Sequence, residues 1–376
     1  MTSAIVKNGL KWGFHDSDVL PAWVAEMDFG IAPSVAAALH DAVDRGDTGY
    51  FYPEALNSTA EAATQFWKRR LRWDVDPSRV FAVPDVVEGI RRAIIHLTRP
   101  GSDVLLPTPA YYPFFSMVER AGRSYVQVQS NVDESGRYTI DLAAVDREMA
   151  NGAGSIVISN PWNPTGRVFS EGELSDLIEL VRRHDARIVS DEIHAPLTYP
   201  GAKHIAASSL DPHVVITVTS ASKAFNLPGL KCAQVVLTND KDAELWSERF
   251  TFAEMGVGTF GLLANTVAYR DGDQWLESVV GTLDSNRMLL GELLETLLPR
   301  VTYRPPDATF LAWLGFGGYQ LDLPAGMILE NCRVALTEGA QFGPGGDRHA
   351  RLNFATSPSV LTELVERMAA VVKAAG

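Results

Sequence analysis

Cysteine is nearly absent from this sequence, which has only Cys232 and Cys332 in 376 residues. Two isolated cysteines cannot form the disulfide framework of a small secreted protein, and neither has neighbours at metal-ligand spacing. No apolar run is long enough to span a bilayer, and residues 1–13 lack the basic and then apolar pattern of a signal peptide. These absences predict a cytoplasmic protein with neither a disulfide scaffold nor a metal centre.

Long runs of positive charge are also missing. Lys and Arg are scattered in short pairs, and the formal net charge is −13. An acidic surface repels nucleic-acid phosphates and anionic lipids, so we expect neither nucleic acid nor a membrane as the main partner. The chain is 46% hydrophobic, which is enough for a folded core, and its length suits more than one domain.

Short runs rich in Val and Ile recur through the middle of the chain, and such runs are typical of strands buried on both faces. They cover residues 103–106, 125–128, 155–159, 187–190, 214–219 and 233–237. Helical patterns lie between several of them, and the helix predicted over 170–184 opens with a capping box of Ser170 and Glu173. Alternating strands and helices predict an α/β fold with a mostly parallel sheet.

The pattern changes beyond about residue 261. Long helices are predicted over 261–270, 273–298 and 358–375, and one strand-like stretch interrupts them at 308–314. This change predicts a second, α+β unit. The first forty or so residues contain one clear helix, over 32–45, and periodicity alone leaves open which unit they join.

A lysine directly after the run 214–219 is the first candidate for chemistry. Lys223 follows Ser220 and Ser222, and burial of such a lysine disfavours its charged form. A desolvated amine is a nucleophile suited to an imine with an aldehyde cofactor. A lysine that simply reaches solvent at a strand end explains the same pattern equally well.

Asp191 follows the predicted strand 187–190, at the end where ligands bind in open α/β sheets. A helix cap or a surface acid would also fit this position. A metal site built from Asp191, Glu192 and His194 is disfavoured, because these side chains point in different directions on a strand and no further ligands follow.

Three other segments carry weaker signals. Residues 160–166 contain two Asn-Pro steps, which force a tight, extended loop at a strand end. The helix predicted from Val86 offers free backbone N–H groups and a positive dipole end that suit a phosphate. Arg351 could bind a carboxylate through two hydrogen bonds. Taken singly, each also has a plain structural explanation: a turn, a helix start and a surface charge.

Taken in order, these segments resemble the fold-type I enzymes that use pyridoxal 5′-phosphate (PLP), the aspartate aminotransferase superfamily of class I/II, over nearly the whole chain. The motifs are S-x-S-K with a second lysine eight positions later, Asp-x-x-His after a strand, and N-P-x-N-P-T-G. Within the superfamily the sequence is most similar to the MalY/PatB-type cystathionine β-lyases and C–S lyases. That likeness rests on residues 23–29, 49–50, 108–115, 191–194 and 226–231.

The resemblance implies a fold and a cofactor. The large PLP-binding domain would span 46–260 and contain a seven-stranded, mostly parallel sheet flanked by helices. The small α+β domain would consist of 1–45 and 261–376. Lys223 would carry PLP as a Schiff base and act as the acid/base, Asp191 would pair with the ring nitrogen, and Tyr111 would stack on the ring.

The remaining implied roles concern the edges of the cofactor, the substrate and the subunits. Asn163 would bind the 3′-oxygen, with His194 close to that edge, and Arg351 would bind the substrate carboxylate beside Asn163 and Trp162. Tyr50 would reach the phosphate of the neighbouring subunit, so the resemblance implies a homodimer with shared active sites. The phosphate would be held by hydroxyl, ammonium and backbone N–H donors of Ser220, Ser222, Lys231, Val86 and Val87.

The sequence departs from the family pattern at three places. Asp85 stands where relatives often carry glycine, so it would lie near the phosphate or cap its helix. Trp162 replaces a common His or Tyr, which would reshape a substrate pocket. Residues 355–358 read Ala-Thr-Ser-Pro, where lyases of this type often have Ala-Cys-Pro-Arg. These departures leave PLP binding intact and leave the identity of the substrate open.

The resemblance favours a C–S β-lyase that cleaves S-substituted L-cysteines, such as cystathionine or a cysteine S-conjugate, into thiol, pyruvate and ammonia. An aminotransferase would use every residue named above and is the first alternative. A tailoring enzyme that acts on a cysteine S-conjugate of a natural product, by elimination or decarboxylation, is the second. A purely regulatory protein is disfavoured, because Lys223 and the whole cofactor set are retained.

Overall fold

The computed structural model describes residue 7 and residues 9–250 and 256–375. The helices are α1 (Gly9–Gly13), α2 (Pro33–Asp44), α3 (Pro53–Leu71), α4 (Val86–Leu97), α5 (Pro113–Arg120), α6 (Leu142–Ala150), α7 (Glu171–Arg183), α8 (Asp240–Arg249), α9 (Thr259–Asp271), α10 (Asp273–Leu297), α11 (Pro324–Cys332) and α12 (Pro358–Ala375). The strands are β1 (Leu20–Pro21), β2 (Val80–Val83), β3 (Val104–Thr108), β4 (Tyr125–Gln129), β5 (Asn131–Val132), β6 (Tyr138–Thr139), β7 (Ser155–Ser159), β8 (Arg187–Asp191), β9 (Val215–Thr219), β10 (Ala233–Val236), β11 (Thr302–Tyr303), β12 (Leu311–Gly315), β13 (Val334–Ala335), β14 (Thr337–Glu338) and β15 (His349–Asn353).

Seven strands form one sheet in the order β2-β10-β9-β8-β7-β3-β4. Five of them, β3, β4, β7, β8 and β9, run parallel, whereas β10 is antiparallel to both of its neighbours. Successive residues of β7 enter different cores, Ile156 on one face of the sheet and Val157 on the other. The predicted α/β fold with a mostly parallel, seven-stranded sheet is confirmed.

Most predicted elements agree with the structure to within a few residues. Helix α7 begins after Ser170, whose side chain accepts from the backbone N–H of Glu173 while the Glu173 side chain accepts from the backbone of Ser170, so the capping box is present. Strand β2 has no counterpart in the sequence prediction, because it is a four-residue edge strand with a single buried residue. Strand β12 begins three residues later than predicted, since Thr309 has a positive φ of 68° that interrupts an extended strand.

A second, antiparallel sheet of β11, β12, β15 and β14 lies in the C-terminal part of the chain, where α10 and α12 pack together. The N-terminal segment joins this part through β1, which pairs in parallel with β13. A further backbone hydrogen bond of 2.8 Å runs from the N–H of Asn353 to the carbonyl of Ala22. Residues 20–30 are thereby held to the second sheet, and the carbonyl of Ala25 lies beside Lys223, in the loop after β9.

Candidate functional site

A cavity of about 670 Å³ opens at the carboxyl ends of β8 and β9, beside the first turn of α4. Open α/β sheets bind ligands at this edge, where the strand ends leave side chains and backbone groups free. The structure brings most of the predicted site residues to its walls: Lys223, Asp191, Asn163, His194, Tyr111, Ser220, Ser222, Lys231, Val86 and Val87.

Lys223 reaches the cavity from the loop after β9. Its Nζ donates a hydrogen bond of 2.8 Å to the backbone carbonyl of Ala25, in the N-terminal segment. Burial, together with the positive charge of Arg351, lowers the pKa of Lys223 to about 8. At pH 7 about a tenth of this amine is therefore uncharged and able to act as a nucleophile or a base.

Asp191 is the last residue of β8 and is buried. One oxygen, Oδ1, accepts a hydrogen bond of 3.1 Å from the backbone N–H of Ile193. Burial raises the pKa of Asp191 to about 7, against an ordinary value of 3.8. No Lys or Arg of the described residues forms an ion pair with it, so its negative charge would be stabilised by a cationic group placed in the cavity.

The first turn of α4 forms the opposite wall. Asp85 caps this helix, since its Oδ1 accepts from the N–H of Glu88 at 2.9 Å. The other oxygen, Oδ2, lies 3.1 Å from Nζ of Lys231 and forms an ion pair with it. Asp85 therefore has both of the positions considered for it, as a helix cap and as an acid beside the proposed phosphate site.

The hydroxyl of Ser220 is already engaged in this wall. It donates to the carbonyl of Cys232 at 2.7 Å and accepts from the N–H of Ser222 at 3.0 Å. These contacts fix the turn between β9 and Lys223, with Ser222 lining the cavity. Backbone N–H groups at a helix start, the Ser222 hydroxyl and an ammonium within one wall suit a phosphate, whereas the Ser220 hydroxyl supports the turn.

Arg351, on β15, lies directly behind Asn163. Its Nη1 donates to Oδ1 of Asn163 at 2.9 Å, and its Nη2 donates to the carbonyl of Trp23 at 3.0 Å. The side chain is buried, its Nε has no hydrogen-bond partner, and no carboxylate of the described residues forms an ion pair with it. A buried guanidinium without a counter-ion suits a carboxylate ligand.

His194 and Tyr111 complete the walls. His194 Nδ1 is hydrogen bonded to Thr309 Oγ1 at 3.0 Å, and burial holds the pKa of His194 well below its usual range, so the ring is neutral. Burial raises the pKa of Tyr111 to about 12, and its ring packs edge-on against Phe114 at 5.4 Å. Both rings are therefore neutral surfaces at physiological pH.

The structure does not bring Trp162 to this cavity. Its indole is buried in the core on one face of the large sheet, where it stacks on Phe169 with ring centroids 5.4 Å apart. The Nε1 group donates to the carbonyl of Pro109 at 2.9 Å, which fixes the ring in that direction. The expected contact between Trp162 and the substrate is therefore corrected to a packing role beneath the Asn163 loop.

Tyr50 also lies away from the cavity walls, but for a different reason. Its side chain projects into solvent and is 95% exposed in the single chain. Tyr52, two residues further along the chain, is 79% exposed as well, and exposed apolar groups that cluster mark contact surfaces. Its predicted contact with a neighbouring subunit stays a prediction.

Two features of the site were not predicted from the sequence. The carbonyl of Ala25 lies in the motif at 23–29, but a backbone acceptor leaves no trace in the identity of a residue. Thr309, which holds His194, follows no recognisable pattern, because its contact depends on the positive φ at that position.

No group of three or more His, Cys, Asp or Glu side chains that could hold a metal ion occurs among the described residues. No helix within the described part of the chain is long and apolar enough to cross a membrane.

The fold and the cavity define an α/β protein that places a half-buried lysine and a buried carboxylate at the ends of adjacent parallel strands. The sequence model of the family "Aminotransferase class I and II" matches residues 24–368, and the chain belongs to this family. It is 40% identical to a cystathionine beta-lyase of Corynebacterium glutamicum, over 96% of each chain. The resemblance found in the sequence motifs is thereby confirmed.

Solved structures agree with the assignment of the chain to this family. A Corynebacterium diphtheriae protein, 39% identical, superposes with a TM-score of 0.91 over 98% of this chain and 96% of its own. Cystalysin from Treponema denticola, whose crystal structure contains a pyridoxal 5′-phosphate cofactor, is 27% identical and superposes with a TM-score of 0.91, over 97% and 96% of the two chains.

Proposed function

We propose that this protein is a PLP-dependent C–S β-lyase that cleaves S-substituted L-cysteines into a thiol, pyruvate and ammonia. The observation that carries the proposal is the meeting of Lys223 and Asp191 in one cavity with Arg351 behind it. The similarity to a cystathionine beta-lyase over 96% of the chain supports the lyase reaction over others that the same residues could serve.

The residues present fit the cofactor. Asp191 is a buried carboxylate without a cationic partner among the described residues, and a protonated ring nitrogen would provide one. The wall formed by α4, Ser220, Ser222 and Lys231 would hold the phosphate. Asn163 and His194 would face the 3′-oxygen, and Tyr111 would stack on the ring, a contact that adds about 0.5–1.5 kcal/mol beyond burial.

When bound, PLP supplies an electron sink for the negative charge that develops at the substrate Cα. Lys223 would hold the cofactor and then take the Cα proton, a role that suits an amine with a pKa of about 8. The negative charge of Asp191 would keep the ring nitrogen of the cofactor protonated, as the electron sink requires. Once the Cα proton is removed, the bond between Cβ and sulfur breaks and the thiolate leaves.

Arg351 would orient the substrate through its carboxylate. The guanidinium is fixed by Asn163 and by the carbonyl of Trp23, which leaves Nε free for a ligand. Fixing the carboxylate beside Lys223 holds the Cα–H bond in reach of the amine, so part of the orientation is established before reaction.

We also propose a homodimer and a division into two domains. The exposed rings of Tyr50 and Tyr52, 95% and 79% exposed, support a surface that a second subunit covers, from which Tyr50 would reach the neighbouring phosphate. Residues 46–260 would form the large domain, with 1–45 and 261–376 in the small one. The pairing of β1 with β13 supports this assignment of the N-terminal segment.

The deciding assay incubates the PLP-loaded protein with S-ethyl-L-cysteine and with L-cystathionine, without any oxo-acid acceptor. We expect continuing release of thiol and pyruvate in equal amounts over many turnovers. Lys223→Ala should abolish it, whereas the exposed control Lys203→Ala should not. Conversion that stops at one equivalent per protomer would contradict the lyase and indicate an aminotransferase instead.

A further inference from the structure

A second cavity, of about 550 Å³, lies at the junction of the two sheets, away from the first. Its walls are the turn at 133–138, the loop at 165–167 and the segment at 301–307, with Trp313 and His349 at its base. Of the described residues that line it, none lines the first cavity. It is therefore a separate site that the proposed lyase reaction does not use.

Two residues in the wall of this cavity carry buried polar atoms without partners. Arg167 is only 4% exposed, and its Nε and Nη1 have no hydrogen-bond partner among the described residues, although Nη2 forms an ion pair with Glu173. The hydroxyl oxygen of Thr165 is also buried and unpartnered. Buried donors that lack partners are unfavourable, and a ligand carboxylate could accept from Nη1 of the guanidinium with one oxygen and from the Thr165 hydroxyl with the other.

The acidic side chains nearby already accept hydrogen bonds from backbone N–H groups. Glu173 belongs to the capping box of α7, and one oxygen of Asp307 accepts from the N–H of Val168 at 3.2 Å. Asp133 accepts from the backbone N–H groups of Ser135 and Arg137 in its own turn. Glu173 pairs with Nη2 of Arg167, but Nε and Nη1 are left without an acceptor.

Charges of both signs surround the opening of the cavity. Arg137 and Arg304 are there with Asp133, Glu134 and Asp307. The acids would repel a simple anion, and Arg167 would repel a simple cation. A zwitterion has a partner for each of its charges, with its carboxylate at Arg167 and its ammonium toward the acids.

The base of the cavity is aromatic. Trp313 and His349 are stacked with centroids 5.0 Å apart and planes 8° from parallel. Trp313 Nε1 donates to the hydroxyl of Tyr138 at 3.0 Å, which fixes the indole in place. A preformed aromatic surface of this kind favours an apolar or aromatic ligand side chain.

We propose that the second cavity is a binding site for a free α-amino acid with an apolar or aromatic side chain. The carboxylate binds Arg167 and Thr165, the ammonium faces the acids at the opening, and the side chain packs on Trp313 and His349. The site requires neither the cofactor nor lyase activity, so its test is independent of the proposed function.

The test is calorimetric titration with L-phenylalanine. The protein carries Arg351→Gln, which removes the carboxylate site of the first cavity, and its cofactor is reduced onto Lys223 with borohydride. We expect one binding site per protomer. Loss of the charge-assisted hydrogen bonds in an added Arg167→Gln should weaken binding by about tenfold or more. The exposed control Arg348→Gln should leave binding unchanged.

Two further comparisons keep the result decisive. Thr165→Val, a substitution of equal size, should also weaken binding and serves if Arg167→Gln does not fold. Phenylpropionate, without the ammonium, and phenylethylamine, without the carboxylate, should each bind more weakly than L-phenylalanine. Absence of binding to the Arg351→Gln protein, or equal affinity with Arg167→Gln or Thr165→Val, would overturn the proposal.

Discussion

The guanidinium of Arg351 donates a hydrogen bond of 2.9 Å to Oδ1 of Asn163, and this contact joins the C-terminal sheet to the loop after β7. The two side chains come from positions 188 residues apart in the sequence. A substrate carboxylate bound by Arg351 would thus lie next to the residue proposed to hold the cofactor's 3′-oxygen.

Replacing Arg351 by Gln should mainly weaken substrate binding. The charge-assisted hydrogen bonds of a buried guanidinium contribute about 1.5–3 kcal/mol each, so we expect kcat/KM to fall by roughly ten- to a hundredfold or more through a higher KM. Steady-state kinetics with S-ethyl-L-cysteine measures the change, with exposed Arg348→Gln as the control. A fall in kcat at constant KM would show that Arg351 does not bind the ground-state carboxylate.

Asp85→Asn should tighten the binding of PLP. Asn retains the helix cap but not the charge that pairs with Lys231, which frees the ammonium for the phosphate. Equilibrium dialysis of the cofactor would measure the change. Asp85→Ala separates the two effects, because it also frees Lys231 but loses the cap, at about 1 kcal/mol of unfolding free energy. Weaker cofactor binding by Asp85→Asn would mean that Asp85 assists the site directly.

The contribution of Asp191 to the stability of the cofactor-free protein should fall as the pH rises from about 4 to 7. The pKa of Asp191 is about 7 in the folded protein and near 3.8 when the chain is unfolded, so the folded state binds more protons in this interval. Folding is then favoured by protonation of Asp191, and this contribution is lost as the pH passes 7. In urea unfolding at several pH values, the unfolding free energy of the wild type should fall relative to that of Asp191→Asn as the pH rises through this interval. The exposed control Asp185→Asn should follow the wild type, and equal slopes for all three proteins would refute the effect.

The opposite dependence is expected from Lys223 at higher pH. Its pKa is about 8 in the folded protein against an ordinary 10.5, so the unfolded chain binds more protons between these values. Stability of the cofactor-free protein should therefore gain a contribution as the pH rises from 8 to 10.5. Lys223→Met should remove that gain in urea unfolding, whereas Lys203→Met should retain it. A gain of the same size in Lys223→Met would show that another group is responsible.

The residues that follow buried strands could be predicted from the sequence. Lys223 and Asp191 come directly after runs of Val and Ile, and a parallel sheet brings such positions to one edge. The direction of a loop side chain could not be read in this way. Trp162 turns toward Phe169 and the carbonyl of Pro109, and nothing in its own segment indicates that choice.

Contacts between distant segments could not be predicted from the sequence either. The carbonyl of Ala25 accepts from Lys223 across 198 positions, and Thr309 contacts His194 across 115. A backbone carbonyl is common to all residues, so only the folded chain shows which one is used. The resemblance to a family identified the segment 23–29 but not the contact that it makes.

The hydrogen bond from Arg351 to the carbonyl of Trp23 spans 328 positions, and this has a consequence for the order of synthesis. Domains generally fold as they leave the ribosome, with the N-terminal parts first. A growing chain that has reached Lys223 already contains both groups that hold the cofactor ring, yet the residue that anchors the substrate has not been made. During that interval residues 20–30 lack their strand partner β13, so the carbonyl that accepts from Lys223 is not yet held in place by the C-terminal part of the chain.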